Sequence, residues 1–308
     1  MILMNKRALL TLCAAASAVA LAACSGGTGT TAASGQSDSQ GLRVMASFYP
    51  LKYLTEQVGG AHVTVTSLTP DGAEPHDLDL SPAMVDSIGR ADAVVYLKGF
   101  QTAVDEAVEQ QSPKTAIDLA DTVTLVDAGE GSNHPADEDE EGQSGHEEGH
   151  SHEGHEEGHE HHHDMAKDPH FWLDPTLEAK AVSTIADELS KIDAQNKSTY
   201  EMNAKNVTND LTALDEEYKS GLKNCQVKTI ITTHAAFGYL TERYGLEQIG
   251  ISGLSPNEQP SPARIAKVQE EAKEHGVTTI FFETLTSDEV AKAIAGDLAL
   301  KTAVLDPI

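Results

Sequence analysis

The segment Asp168-Pro169-His170-Phe171-Trp172-Leu173-Asp174-Pro175 divides the chain into two halves that read differently. Before it lies a tract made almost wholly of His, Glu, Asp and Gly, and after it begins a long helical pattern. Each proline fixes its own φ and restricts the residue before it, so His170 sits on constrained backbone among prolines and aromatics. Asp174 as N-cap and Pro175 as first helical residue open the helix that follows. An imidazole held this firmly is a candidate functional group.

Upstream of this segment, short β-branched runs at 42–48, 63–68, 92–97, 115–119 and 123–126 alternate with helical patterns at 51–58, after Ser81-Pro82, and at 103–109. Downstream, Leu177, Ala181, Ile185, Leu189 and Ile192 form one apolar stripe, and a second helical pattern covers 194–222, with Tyr200, Val207, Leu211, Leu214 and Tyr218 as its stripe. At 1.5 Å per residue that second helix is about 45 Å long, more than one lobe needs, and reads as a backbone joining two lobes. The alternation then resumes, with strands at 227–233, 246–252, 278–282 and 302–305 and helices at 235–244, 262–275 and 288–298. Such alternation predicts an α/β protein of two lobes, each with a mostly parallel sheet flanked by helices, joined by one long linking helix. The expected divisions are an N-terminal lobe at 42–175, a helical region at 176–223 and a C-terminal lobe at 224–308. No helix follows the last strand, so the second lobe reads as truncated at its end.

The N-terminus lies outside this fold. Lys6 and Arg7 precede an apolar stretch at 8–20, giving residues 1–23 the form of a secretory signal too short to span a bilayer comfortably. Leu21-Ala22-Ala23-Cys24 resembles a bacterial lipobox, which implies cleavage before Cys24 and acylation of its thiol. Residues 24–41 are a Ser/Gly/Thr-rich tether on which the acyl chains would hold a folded domain at a lipid bilayer. Cys225 is then the one cysteine neither removed nor acylated, so no intrachain disulfide forms, and a buried inert thiol is its expected state.

A net charge of −28 excludes a nucleic-acid partner. Twelve of the 49 acidic residues lie between Asp137 and Asp164, so much of the imbalance belongs to one insert at 128–167. The insert also carries His134, His146, His150, His152, His155, His159, His161, His162 and His163. With almost no apolar side chain it cannot offset chain entropy by burial, and disorder is expected.

Three other histidines, His76, His170 and His234, stand in loops at or near strand ends, where ligands of open α/β sheets collect. Neutral imidazole suits Zn²⁺, and three imidazoles with a carboxylate or water complete a tetrahedral site. Intervals of 94 and 64 residues make no local motif, so on pattern alone each histidine reads equally as ligand or as structural. Glu74 and Glu283 are the candidate carboxylates. A loop or capping role suits Glu74 better, and a hydrogen-bonding role beside the ligands or between lobes suits Glu283 better. Asp77 and Asp174 read as imidazole-orienting or helix-capping groups. Phe171 and Trp172 read equally as cleft walls and as core. Three histidines with an open position also describe a zinc hydrolase, but none of the predicted helices carries HExxH and there is no plausible general base beyond Glu74.

The loop GAEPHD at 72–77, the His-rich insert ahead of DPHFWLDP, THAAFGYL at 233–240, Gly-Leu-Ser-Pro at 253–256 and the run from Thr279 through FFET to VLDPI occur in one order. Together they resemble the zinc and manganese solute-binding proteins of ABC importers, the cluster A-I group, in its zinc branch, over residues 43–308. The resemblance implies a non-enzymatic, monomeric, extracytoplasmic receptor anchored through Cys24 to the outer face of the cell membrane. It also implies Zn²⁺ as transported ligand, held by His76, His170 and His234, and an ABC permease as partner. A nitrogen donor at His234 favours zinc; manganese or iron(II) is the alternative cargo, and surface adhesion an alternative or additional role. In part of the zinc branch the fourth ligand is a Glu that would fall just past Ile308, and other members use water. The insert histidines, His146 to His163, are expected to collect zinc weakly and exchangeably.

Overall fold

The computed structural model describes residues 41–128 and 166–308. Cys24, the tether and the insert histidines lie outside the described residues.

In the first lobe, β1 (Leu42–Ala46), α1 (Tyr49–Gly59), β2 (Val63–Ser67), α2 (Pro82–Arg90), β3 (Ala93–Tyr96), α3 (Thr102–Gln111) and β4 (Ala116–Asp118) follow in turn. The strands are all parallel, in the order β2-β1-β3-β4, with Val44 opposite both Val65 and Ala93. All four residues of β3 are buried, as a strand covered on both faces requires. Their alternation sends Ala93 and Val95 into one core, with Leu51, Leu54 and Val58 of α1, and Val94 and Tyr96 into another, with Ile88 and Val104. Ser81 caps α2 as expected, its hydroxyl accepting from the Met84 amide at 3.4 Å.

The second lobe repeats the plan with β5 (Thr229–Thr232), α6 (Gly238–Tyr244), β6 (Glu247–Gly250), α7 (Pro262–Glu274), β7 (Thr279–Phe282), α8 (Glu289–Leu298) and β8 (Lys301–Val304). Its sheet is parallel, in the order β6-β5-β7-β8. In both sheets the first and third strands are neighbours while the second lies outside, so the connections diverge beyond the carboxyl ends of those two strands and leave a crevice there.

Between the two lobes in the chain come α4 (Pro175–Ile192) and α5 (Lys197–Leu222). α4 buries Ala181, Val182, Ile185 and Leu189 against the α1 face of the first sheet, and α5 adds Tyr200, Ala204 and Leu211 to the same core. α5 links the lobes; its 26 residues give about 39 Å, somewhat less than the sequence suggests. It begins later because Asp193 accepts from Asn196 Nδ2 and Tyr200 Oη, both at 2.7 Å, and these bonds hold a turn ahead of the helix. Residues 123–126, expected as a strand, run without one. Val123 packs into the core, Val126 donates its amide to Tyr239 Oη at 3.0 Å, and an isolated bridge joins Asp127 to Lys167. Cys225 is half-buried in the turn after α5, not buried as expected.

Leu214 and Tyr218, assigned to the apolar stripe of α5, are exposed, and the buried group between them is Asp215. Its carboxylate accepts from Arg243 Nε at 2.7 Å and Tyr244 Oη at 3.2 Å and pairs with Lys219 at 2.7 Å, while Tyr218 stacks on Tyr244. Arg243 also stands 3.3 Å from Asp174, so one guanidinium ties α6 to the start of α4 and the C-terminal half of α5. The Arg243 hydrogen bond, above all, holds the Asp215 carboxyl well below the usual carboxylate range, against the opposing effect of burial. A depressed folded-state pKa adds stability that is present above about pH 4 and lost as pH falls toward the folded value. Asp215→Asn is therefore expected to cost about 1–3 kcal/mol at pH 7, and the gap from wild type should close below pH 4 in urea unfolding curves.

Candidate metal centre

Each of the three histidines is delivered by a short, constrained segment. After β2 the chain turns at Gly72, whose φ of +76° favours glycine, and enters a single 3₁₀ turn at Pro75–Asp77. Glu74 caps that turn by accepting the His76 amide at 3.2 Å. His170 precedes a second 3₁₀ turn, Phe171–Leu173, and its amide donates to the Asp168 carboxylate at 2.9 Å. Acid-Pro-His thus occurs twice, as Glu74-Pro75-His76 and Asp168-Pro169-His170, and in both the acid accepts the amide two residues on. His234 lies two residues past β5. Gly250, at the end of β6, lets this segment approach: a Cβ there would meet the Ser252 carbonyl at 2.5 Å and the Ala235 amide at 3.1 Å.

The imidazoles meet through Nε2. His170 Nε2 is 3.3 Å from His76 Nε2 and 3.4 Å from His234 Nε2. His170 Nδ1 stands 2.7 Å from Asp168 Oδ1, and His234 Nδ1 stands 2.6 Å from Glu283 Oε1. An ionised carboxylate only accepts, so both Nδ1 atoms carry the proton and both Nε2 atoms present a lone pair to the shared space. Neutral lone pairs so close repel, and a cation between them removes the repulsion. Tetrahedral zinc with bonds of about 2.0–2.1 Å sets its nitrogens about 3.3–3.4 Å apart, the separation seen here.

His170, His234, Asp168 and Glu283 are all buried, and His76 is half-buried. Burial, reinforced by His170 and His234, holds His76 well below the ordinary histidine pKa. Burial also lowers His170, opposed by Asp168. Both are therefore neutral at pH 7, the state in which imidazole ligates metal. Burial raises the Glu74 carboxyl, against the His76 amide that lowers it.

The surrounding space, about 20 Å³, holds one water-sized guest and is lined by Glu74, the three histidines, Trp172 and Glu283, together with Pro75, Leu285 and Asp306 to Ile308. Trp172 packs its ring 5.2 Å from His170, with Nε1 donating to the Pro307 carbonyl at 2.7 Å, while Phe171 belongs to the core. Phe100 presents an edge-on ring to His76 at 4.8 Å.

Of the aspartates expected to orient an imidazole or cap a helix, Asp174 caps α4, accepting the Thr176 amide at 2.7 Å. Asp77 does neither; it pairs with Asn257 on the surface. Asp168, which orients His170, went unassigned in the sequence although the repeated acid-Pro-His spacing carries the signal. Tyr239 was also missed. Its hydroxyl donates to the Asp168 carbonyl at 2.9 Å, so the helix after His234 grips the loop that bears His170.

Two matched α/β lobes, a linking helix and a buried cluster of convergent imidazoles define a metal-binding solute receptor. Residues 44–308 match the family model described as zinc-uptake complex component A, periplasmic. The high-affinity zinc uptake system protein ZnuA of Bacillus subtilis is 38% identical over 91% of this chain and 83% of its own length. The zinc-binding lipoprotein AdcA of Streptococcus pneumoniae is 37% identical over 90% of this chain, which spans only 52% of that relative. Among solved structures, the Zn(II)-bound ZnuA-like domain of that lipoprotein superimposes with a TM-score of 0.66 at 32% identity, covering 87% of this chain and 88% of the domain. The laminin-binding protein Lmb of Streptococcus agalactiae, described as bifunctional with adhesin and metal-transporting activity, superimposes with a TM-score of 0.71 at 30% identity, covering 87% of this chain and 90% of its own. The chain belongs to the zinc-uptake complex component A family. It is a solute-binding receptor of a zinc importer of the ABC type and not an enzyme.

The lowered pKa values of His76 and His170 set a pH dependence for the metal-free protein. The unfolded chain takes up protons at these histidines from about pH 6.5 downward, at higher pH than the folded chain does. Stability is therefore expected to fall as pH drops from 7.5 to 5.5, and His76→Gln should flatten that dependence in paired urea titrations.

Proposed function

We propose that His76, His170 and His234 hold the transported Zn²⁺ through their Nε2 atoms, with Asp168 and Glu283 fixing two of the imidazoles from behind. The observation that carries this reading is the Nε2 spacing of 3.3 and 3.4 Å, the nitrogen separation of a tetrahedral zinc. Water from the adjoining space completes the tetrahedron. Glu283 Oε1 is turned to the far ring nitrogen of His234 and Glu74 Oε1 to a backbone amide, which favours water over either carboxylate as the fourth ligand. Three neutral nitrogen donors favour zinc over manganese, which prefers oxygen.

In the same reading the domains are an N-terminal lobe at 42–175, a helical region at 176–223 and a C-terminal lobe at 224–308. The first lobe supplies His76 and His170 and the second supplies His234, so a modest displacement of the second lobe opens the triad for release. Capture takes place outside the cell, with the chain anchored by acylated Cys24, and release is to an ABC permease in the cytoplasmic membrane. The histidines from His146 to His163 gather zinc weakly near the cleft. The likeness to a laminin-binding protein described as bifunctional favours adhesion as a second role.

Titrating zinc against a chelator, with manganese as competitor and with residues 131–163 deleted, tests the central assignment. One tight zinc per chain is expected, lost in His76→Ala and His234→Ala and not displaced by manganese. Unchanged affinity in those variants would refute it. Restoring 131–163 should add weak equivalents, and an unchanged stoichiometry would remove the role given to the insert.

A further inference from the structure

Two buried glutamines hold the backbone beside two of the site histidines in the same way, from different elements. Gln101, just before α3, directs Nε2 at Thr69 Oγ1, at 3.0 Å, and at the Pro75 carbonyl, at 2.9 Å, one residue ahead of His76. Gln248, within β6, directs Nε2 at Thr232 Oγ1, at 2.8 Å, and at the His234 carbonyl, at 3.0 Å. Both threonine hydroxyls pass their own protons on to backbone carbonyls, Thr69 to Ser47 and Thr232 to His234, each at 2.7 Å. All four side chains are buried.

The amide orientation is fixed by its partners. A carbonyl only accepts, so the NH₂ end faces Pro75 in one case and His234 in the other, and flipping either amide would oppose two oxygens. The consequence is an amide oxygen with nowhere to bond. Gln101 Oε1 and Gln248 Oε1 are both buried without a hydrogen-bond partner among the described residues. An unpaired buried carbonyl is unfavourable, and an apolar side chain of the same length would avoid it. A residue that serves only to fill the core has no reason to bring that oxygen, whereas one needed for its donor must carry it.

We infer that Gln101 and Gln248 are positioning residues that set the placement of His76 and His234 for metal through the carbonyls they grip. The inference rests on the three-histidine reading above. Neither glutamine is hydrogen-bonded to an imidazole. Each ties the histidine's segment to a fixed neighbour, with Thr69 and Thr232 completing the bridges, so that Nε2 of His76 and of His234 stay near that of His170 before the ion arrives. Because the ligands are preorganised, loss of either clamp appears in affinity and in dissociation rate.

The test compares Gln101→Met, Gln248→Met, Thr232→Val and Thr232→Ser with wild type, reading the zinc dissociation constant, the rate of zinc loss to excess chelator and the metal-free unfolding midpoint. Each Met variant is expected to weaken zinc about tenfold to a hundredfold, the range for groups that orient metal ligands. Thr232→Val, which keeps the shape of the side chain, should weaken zinc as well, and Thr232→Ser should restore it. If Gln248→Met folds poorly, the Val and Ser pair decides the point. Wild-type zinc affinity in the Met and Val variants, while His76→Ala and His234→Ala abolish binding, would overturn the positioning role alone. Wild-type affinity in the histidine variants too would overturn the site assignment and this inference with it.

Discussion

The site depends on two buried hydrogen bonds, from His170 Nδ1 to Asp168 and from His234 Nδ1 to Glu283. Each puts the ring proton on the far nitrogen and leaves Nε2 free. Without them the tautomers would be free to exchange, and a proton on either Nε2 would block the shared space. The carboxylates also bring negative charge behind neutral rings, which raises their basicity as ligands without placing an oxygen in the coordination position. Two fixed lone pairs, with His76 Nε2 beside them, then face a space that admits one small guest.

The fold exists to bring those pairs together across a long stretch of chain. Parallel sheets of the same order open their connections beyond the first and third strands, and both Glu283 and His234 leave the second sheet at those strands, β7 and β5. His76 leaves the first sheet after β2. His170 belongs to neither sheet; its segment spans the gap, pinned by Tyr239 from the second lobe and by Trp172 packed among Phe48 and Phe100 of the first. The Arg243 cluster joins α4, α5 and α6 at the same time, so the linking helix connects the lobes through a partly buried ion pair and not through an apolar stripe alone.

The alternation of β-branched runs and helical stripes was enough to place the lobes, and the Ser-Pro and Asp-Pro pairs marked the starts of α2 and α4, because capping is a local interaction. The three histidines stood out as candidates because prolines or strand ends flank them, but on pattern alone each read equally as structural, and the family resemblance is what set them apart as ligands. The sequence was weaker where long-range contacts decide the outcome. Asp215 interrupts the apolar stripe of α5, and it is Arg243 and Tyr244, from a helix distant in the sequence, together with Lys219, that make its burial tolerable. Residues 123–126 have the composition of a strand and, among the described residues, no neighbouring strand to pair with. The link between Glu283 and His234 spans 49 residues and has no pattern to announce it, whereas Asp168 could have been found from the spacing it shares with Glu74.

Zinc K-edge X-ray absorption on the stoichiometrically loaded protein lacking residues 131–163 is the most direct test of the convergence of three Nε2 atoms on one ion. A four-coordinate shell of nitrogen and oxygen at about 2.0–2.1 Å, with outer-shell scattering from three imidazoles, is the expected result. A shell with one imidazole or none, or six oxygens around the zinc, would contradict it.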